Sequence, residues 1–130
     1  MTRSGAGMAW DFFHPMIPRP LFIDYIEDRD LWQWKLPYSR EFSAGLKMIP
    51  YEFEQYANLE TDEKVKGVIH NGSVVLAYSN LCIKKICQAA AIRQLKGYEI
   101  LAVNSRQWIS EVGNRLAHNF RHFIRNYKKI

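Results

Sequence analysis

The run Glu27-Asp28-Arg29-Asp30 carries the chemistry easiest to recognise in this chain. Carboxylates crowded on a turn or helix end suit a hard divalent cation such as Mg²⁺ or Mn²⁺, which takes oxygen ligands. The same run also suits a solvated acidic face, with Arg29 or Lys35 as ion partners. The remaining chemistry-bearing residues form no comparable group. His118 and His122 stand four apart, but no glutamate lies between them at the position a zinc protease needs. Cys82 and Cys87 fall in an apolar stretch and are expected to be core residues, without a His or Asp partner for a thiol nucleophile. Two cysteines make neither a disulfide framework nor a zinc site. No glycine-rich phosphate loop occurs. Trp10, Trp32, Trp34 and Trp108 read as core rather than as a base-stacking platform.

The elements that must position these residues follow from pattern and punctuation. Thr2 or Ser4 can cap a helix running to Phe13, with Ala6, Met8, Ala9, Phe12 and Phe13 as its apolar face. Pro15, Pro18 and Pro20 make an extended connection. Leu21, Phe22, Tyr25 and Ile26 have helical spacing, and Pro37 ends that segment. A short helix is expected from near Tyr38, and another after Pro50 with Phe53 and Tyr56 inward. Residues 60–89 read as one long helix, capped by Thr61, with Asp62 and Glu63 favourable to its dipole. Val65, Val68, Ile69, Val75, Leu76, Leu81, Ile83 and Ile86 give its stripe, and Asn71-Gly72 is a possible kink. Two apolar runs flank Lys96-Gly97, a hairpin signal. Ser105 or Ser110 opens a last helix through Trp108, Ile109, Val112 and Leu116. The expected fold is therefore mostly α with a small β-hairpin, with a compositional change at about Ala89.

Composition bounds the function. The chain has 130 residues, 48% of them hydrophobic, enough for a real core and against disorder. No apolar run reaches the ~18 residues of a membrane span, and the first residues lack a signal-peptide core. The expected compartment is a reducing cytosol. The formal charge of +5 lies wholly in the last 16 residues, which hold Arg115, Arg121, Arg125, Lys128 and Lys129 and no acid. A tail of that kind can track phosphates; it is also what a solvated terminus looks like.

Three segments together resemble a known family. They are RSGAGMAWDFFHP (3–15), FIDYIEDRDLWQWKLPYSREFSAGL (22–46) and GYEILAVNSRQWISEVGNRLA (97–117). In this order they resemble the DHH-superfamily phosphoesterases, in the branch of oligoribonuclease or cyclic-nucleotide phosphodiesterase-like phosphohydrolases. The likeness covers about residues 2–118. It implies hydrolysis of phosphodiester bonds in short nucleotides by a two-metal centre, usually Mn²⁺. It places the aspartate of the fourth metal motif on Asp28, with Asp30 as second choice. It makes Arg29, Asn104 and Ser105 substrate-contacting or cleft-lining. It also implies an organisation: residues 1–58 as the C-terminal part of the phosphoesterase domain, 59–90 as a linker helix, and 91–130 as the start of the DHH-associated domain.

The departures are equally plain. No Asp-His-His triplet occurs, no two histidines are adjacent, and the earlier aspartate motifs and the glycine-rich Gly-His substrate motif are missing. One or two aspartates cannot build a two-metal site, so this chain is expected to be inactive by itself and to resemble the middle of a longer enzyme. Missing sheet neighbours would expose Trp10, Phe12, Tyr98 and Ile100, so self-association or pairing with a complementing chain is expected. The other expectation is a helical binding module that contacts nucleic acid or protein through Arg121, Arg125, Lys128 and Lys129.

Overall fold

The structure is a computed structural model that describes the backbone of residues 2–127 and the side chains of residues 2–119. Among the described residues, six α-helices and one two-stranded antiparallel sheet follow one another: α1 Gly5–Phe13, α2 Leu21–Asp30, α3 Ser39–Leu46, α4 Phe53–Ala57, α5 Asp62–Gln88, β1 Ala91–Leu95, β2 Tyr98–Ala102 and α6 Ile109–Tyr127. A 3-10 turn, Asn58–Glu60, joins α4 to α5. The mostly helical class with one late hairpin is thus the observed one. The chain divides into two compact units between Ala77 and Tyr78, within α5.

In the first unit, local chemistry sets the helix ends. Ser4 caps α1, its Oγ accepting from the Gly7 amide at 3.0 Å, and His14 ends the helix ahead of Pro15. Pro20, fixed at φ −61°, stands immediately before α2. Phe22, Tyr25, Phe42, Leu46, Leu59, Val65 and Val68 form the core. Tyr25 stacks on Phe42 with ring centroids 4.7 Å apart, and its hydroxyl donates to the Pro37 carbonyl at 2.7 Å.

Three expectations change here. The apolar side of α1 is not its buried side: Met8, Phe12 and Phe13 are exposed, while Ser4 and Gly7 are buried. Phe53 also points outward, 84% exposed, and Leu59 takes the core position instead. The third concerns Asn71-Gly72, where α5 runs unbroken. A Cβ on Gly72 would run into the Glu41 carbonyl oxygen, and one on Gly45 into that of Val68. These glycines let the backbones of α3 and α5 approach, so Gly72 serves contact rather than a kink.

In the second unit, β1 pairs with β2 from Ala91↔Ala102 to Leu95↔Tyr98. Lys96 and Gly97 both have positive φ, 48° and 83°, as the two-residue type I′ hairpin turn requires. Ile83, Val112 and Leu116 are the buried centre, with Ile86, Cys87, Ala90, Leu101, Val103 and Trp108 packed on them. Leu81 is 61% exposed, because two residues of helix turn it some 200° from Ile83. The helix after the hairpin begins at Ile109, behind Trp108 with φ 50°, not at Ser105 or Ser110.

Candidate functional site

The four residues of the acidic run leave α2 in different directions and do different things. Glu27 reaches back to the start of α1, where its Oε2 accepts from the Ser4 amide at 2.8 Å and the Ser4 hydroxyl at 3.0 Å. Arg19 closes this contact from the proline-rich connection. Its Nη1 donates to Glu27 Oε1 at 2.9 Å and its Nε to Asp11 Oδ1 at 2.7 Å, and Arg3 pairs with the same Asp11. The Ser4 amide, with Arg19, holds the Glu27 carboxyl below its ordinary value despite some burial. The ion partner of the acidic run is therefore Arg19, and neither Arg29 nor Lys35 makes an ion pair with it among the described residues. The only sequence signal for Arg19 is a charged residue standing between two prolines.

Asp28 is the buried member, 7% exposed. Its Oδ1 accepts the Lys35 amide at 2.9 Å and its Oδ2 the Leu36 amide at 3.2 Å. The buried Ser39 hydroxyl faces the same carboxylate outside strict hydrogen-bond geometry. Burial pushes the Asp28 carboxyl up, but the Ser39 hydroxyl, the two amides and the Lys35 charge together outweigh it, so the group lies below its ordinary value. Asp30 is exposed, two residues round the helix and away from Asp28. Arg29 is half-buried; burial pushes the nearby Tyr56 phenol up, and the Arg29 charge opposes this only in part.

The segment held by Asp28 is unusual. Gln33 donates its amide to the Asp28 carbonyl at 2.9 Å and Trp32 to the Arg29 carbonyl at 2.9 Å. Trp32, Trp34 and Tyr38 all have left-handed φ, 55°, 56° and 60°, a conformation that costs a side-chain-bearing residue about 1–2 kcal/mol. Trp32 meets Trp34 edge-on, centroids 5.1 Å apart, and the Arg40 guanidinium lies 4.5 Å over the Trp34 ring. The Trp34 indole N–H is buried without an acceptor, which typically costs a further ~1–3 kcal/mol. Trp32 remains 38% exposed. The expectation that the tryptophans are all core residues is corrected at this position.

The other site residues lie in the second unit or beyond the described side chains. Asn104 is exposed, and Ser105 closes a local turn, its hydroxyl donating to the Gln107 carbonyl at 2.7 Å. Cys82 and Cys87 are half-buried free thiols. Burial pushes the Cys87 thiol up against the opposing pull of Arg115, which argues against a nucleophile. The side chains of Arg121, Arg125 and His122, and all of Lys128 and Lys129, lie outside the described residues. Among the described residues no three His, Cys, Asp or Glu side chains assemble a metal site. No helix among them is long and apolar enough to cross a membrane.

No family model and no solved structure matches this chain. In an alignment of 124 positions that covers 92% of the chain, it is 31% identical to "Uncharacterized protein R106" of Acanthamoeba polyphaga mimivirus. It spans 30% of that viral protein.

Proposed function

We propose that this chain is part of a metal-dependent phosphohydrolase of the DHH type, acting on phosphodiester bonds of short nucleotides, with Asp28 as one metal ligand. The observation that supports the reading is the state of Asp28. A carboxylate that is ionised, buried and fixed by two backbone amides is oriented as a ligand to a hard cation must be. Each oxygen has accepted one amide, and a carboxylate offers about four acceptor positions in all. Asp28 therefore fits a manganese centre as one ligand. Asp30, exposed and turned away, does not fit the same centre.

A paired-metal site polarises the phosphoryl group and generates hydroxide at neutral pH. The work of this chain's residues is to keep Asp28 charged and in place. Lys35 and Leu36 supply its hydrogen bonds, and Glu27 ties α2 to α1 one residue earlier. One carboxylate does not make a two-metal centre. The remaining ligands would have to come from another chain, and this chain alone is expected not to turn over substrate.

The test is Mn²⁺ binding, followed by the loss of the free-ion electron paramagnetic resonance signal, with hydrolysis of a short oligoribonucleotide measured alongside. Weak binding that Asp28→Asn abolishes and Asp30→Asn leaves intact, at unchanged helix content by circular dichroism, supports the reading. Binding untouched by Asp28→Asn overturns it. RNA association that needs no metal, weakens with salt and disappears on deleting residues 119–130 would favour the basic-tail binding module instead.

A further inference from the structure

The aromatic loop between α2 and α3 does more than connect them. Trp32, Trp34 and Tyr38 are three of the five non-glycine residues with positive φ among the described residues, all within seven positions. Glycine would adopt these angles without strain; here two indoles and a phenol do so. Backbone strain of this kind persists only where its surroundings impose it, and it clusters at binding sites. The surroundings are on hand. Asp28 grips the loop through the Lys35 and Leu36 amides, and Tyr25 holds the Pro37 carbonyl. The loop is thus pre-organised before any ligand arrives, which lowers the ordering cost of binding.

What the loop presents is specific. Trp34 is occupied, with Arg40 over its ring. Trp32 meets Trp34 edge-to-face and remains 38% exposed. Lys35 and Arg40, both exposed, put two cations in the same segment. A partly exposed indole with two exposed cations in the same stretch, residues 32–40, matches a planar base that carries a phosphate. We propose that Trp32 is a stacking platform for one unpaired nucleobase, and that Lys35 and Arg40 attract the phosphate of that nucleotide. This deepens the phosphohydrolase reading, because it names the part of the substrate held next to Asp28. The stacking itself needs neither metal nor turnover.

The experiment is equilibrium dialysis of the full chain against adenosine 5′-monophosphate without metal. The comparison is Trp32→Gly, which removes the ring and relieves the left-handed φ, so the loop keeps its conformation. The expected result is saturable binding that weakens about tenfold in Trp32→Gly, in line with the loss of one base–aromatic stack. Trp32→Tyr should restore most of it, and inorganic phosphate should compete more weakly than adenosine monophosphate. Equal binding by wild type and Trp32→Gly overturns the proposal, as does inorganic phosphate competing as well as the nucleotide, or no binding at all. Mn²⁺ binding is expected to be unchanged in Trp32→Gly. Failure of the stacking test with intact, Asp28-dependent Mn²⁺ binding would therefore sink this inference alone.

Discussion

Glu27 and Asp28 are neighbours in sequence with separate tasks, one holding α1 and the other holding the 31–36 turn. Both lie below their ordinary values, 4.5 for Glu27 and 3.8 for Asp28. A depressed carboxyl contributes stability that is complete above its unfolded value and is lost as pH falls through its folded one. Asp24, raised chiefly by burial, works in the opposite sense. Thermal unfolding followed by circular dichroism is expected to show a constant midpoint from pH 7 to about 5 and a decline below about 4. Glu27→Gln should make that decline shallower; an unchanged slope would show that Glu27 does not drive it. Asp28→Ala leaves two half-buried amides without their acceptor and should cost about 1–3 kcal/mol by urea unfolding.

Helix α5 and the hairpin show two kinds of glycine use. In an exposed helix Gly→Ala gains about 1 kcal/mol. At Gly72 the new methyl group would meet the backbone of Glu41 and Gly45, and overpacking against backbone costs about 1–3 kcal/mol. Gly72→Ala is therefore expected to lower stability, whereas Gly67→Ala, where nothing stands nearby, should raise it. Equal effects at the two positions would contradict the close crossing of α3 and α5. In the hairpin, Lys96 holds a left-handed φ that asparagine tolerates better. Lys96→Asn should stabilise the second unit by about 0.5–1 kcal/mol in the same unfolding experiment.

At the scale of the whole molecule, the outstanding feature is apolar area left on the surface. Phe12 is 79% exposed, Met16 91%, Tyr51 97% and Tyr98 75%. Trp10 and Ile100, expected to be open as well, are half-buried. The two strands pair only with each other, so each has an unpaired edge among the described residues. Exposed apolar patches and open edges favour association. Light scattering at tens of micromolar should give a mass above the 15.3 kDa of one chain. A monodisperse species of that mass would show that these surfaces stay solvated.

The sequence by itself determined what depends on neighbours along the chain. The Ser4 cap, the prolines between the end of α1 and the start of α2, the long α5 and the Lys96-Gly97 turn are local preferences that nothing distant overrules. The acidic run also stood out as the place for chemistry, because four charged residues in succession are visible without a fold. Tertiary structure alone decided what each of them does. Arg19 reaches Glu27 only because the proline-rich connection brings it back to α2. Which of Asp28 and Asp30 is buried depends on which side of α2 faces the following loop, and periodicity fixes relative angles rather than the buried direction. For the same reason periodicity points Phe53 and the apolar side of α1 inward, while packing turns them outward. Hydrophobicity says that a side chain can be buried, and only the packing of α1, α2 and α3 says which ones are.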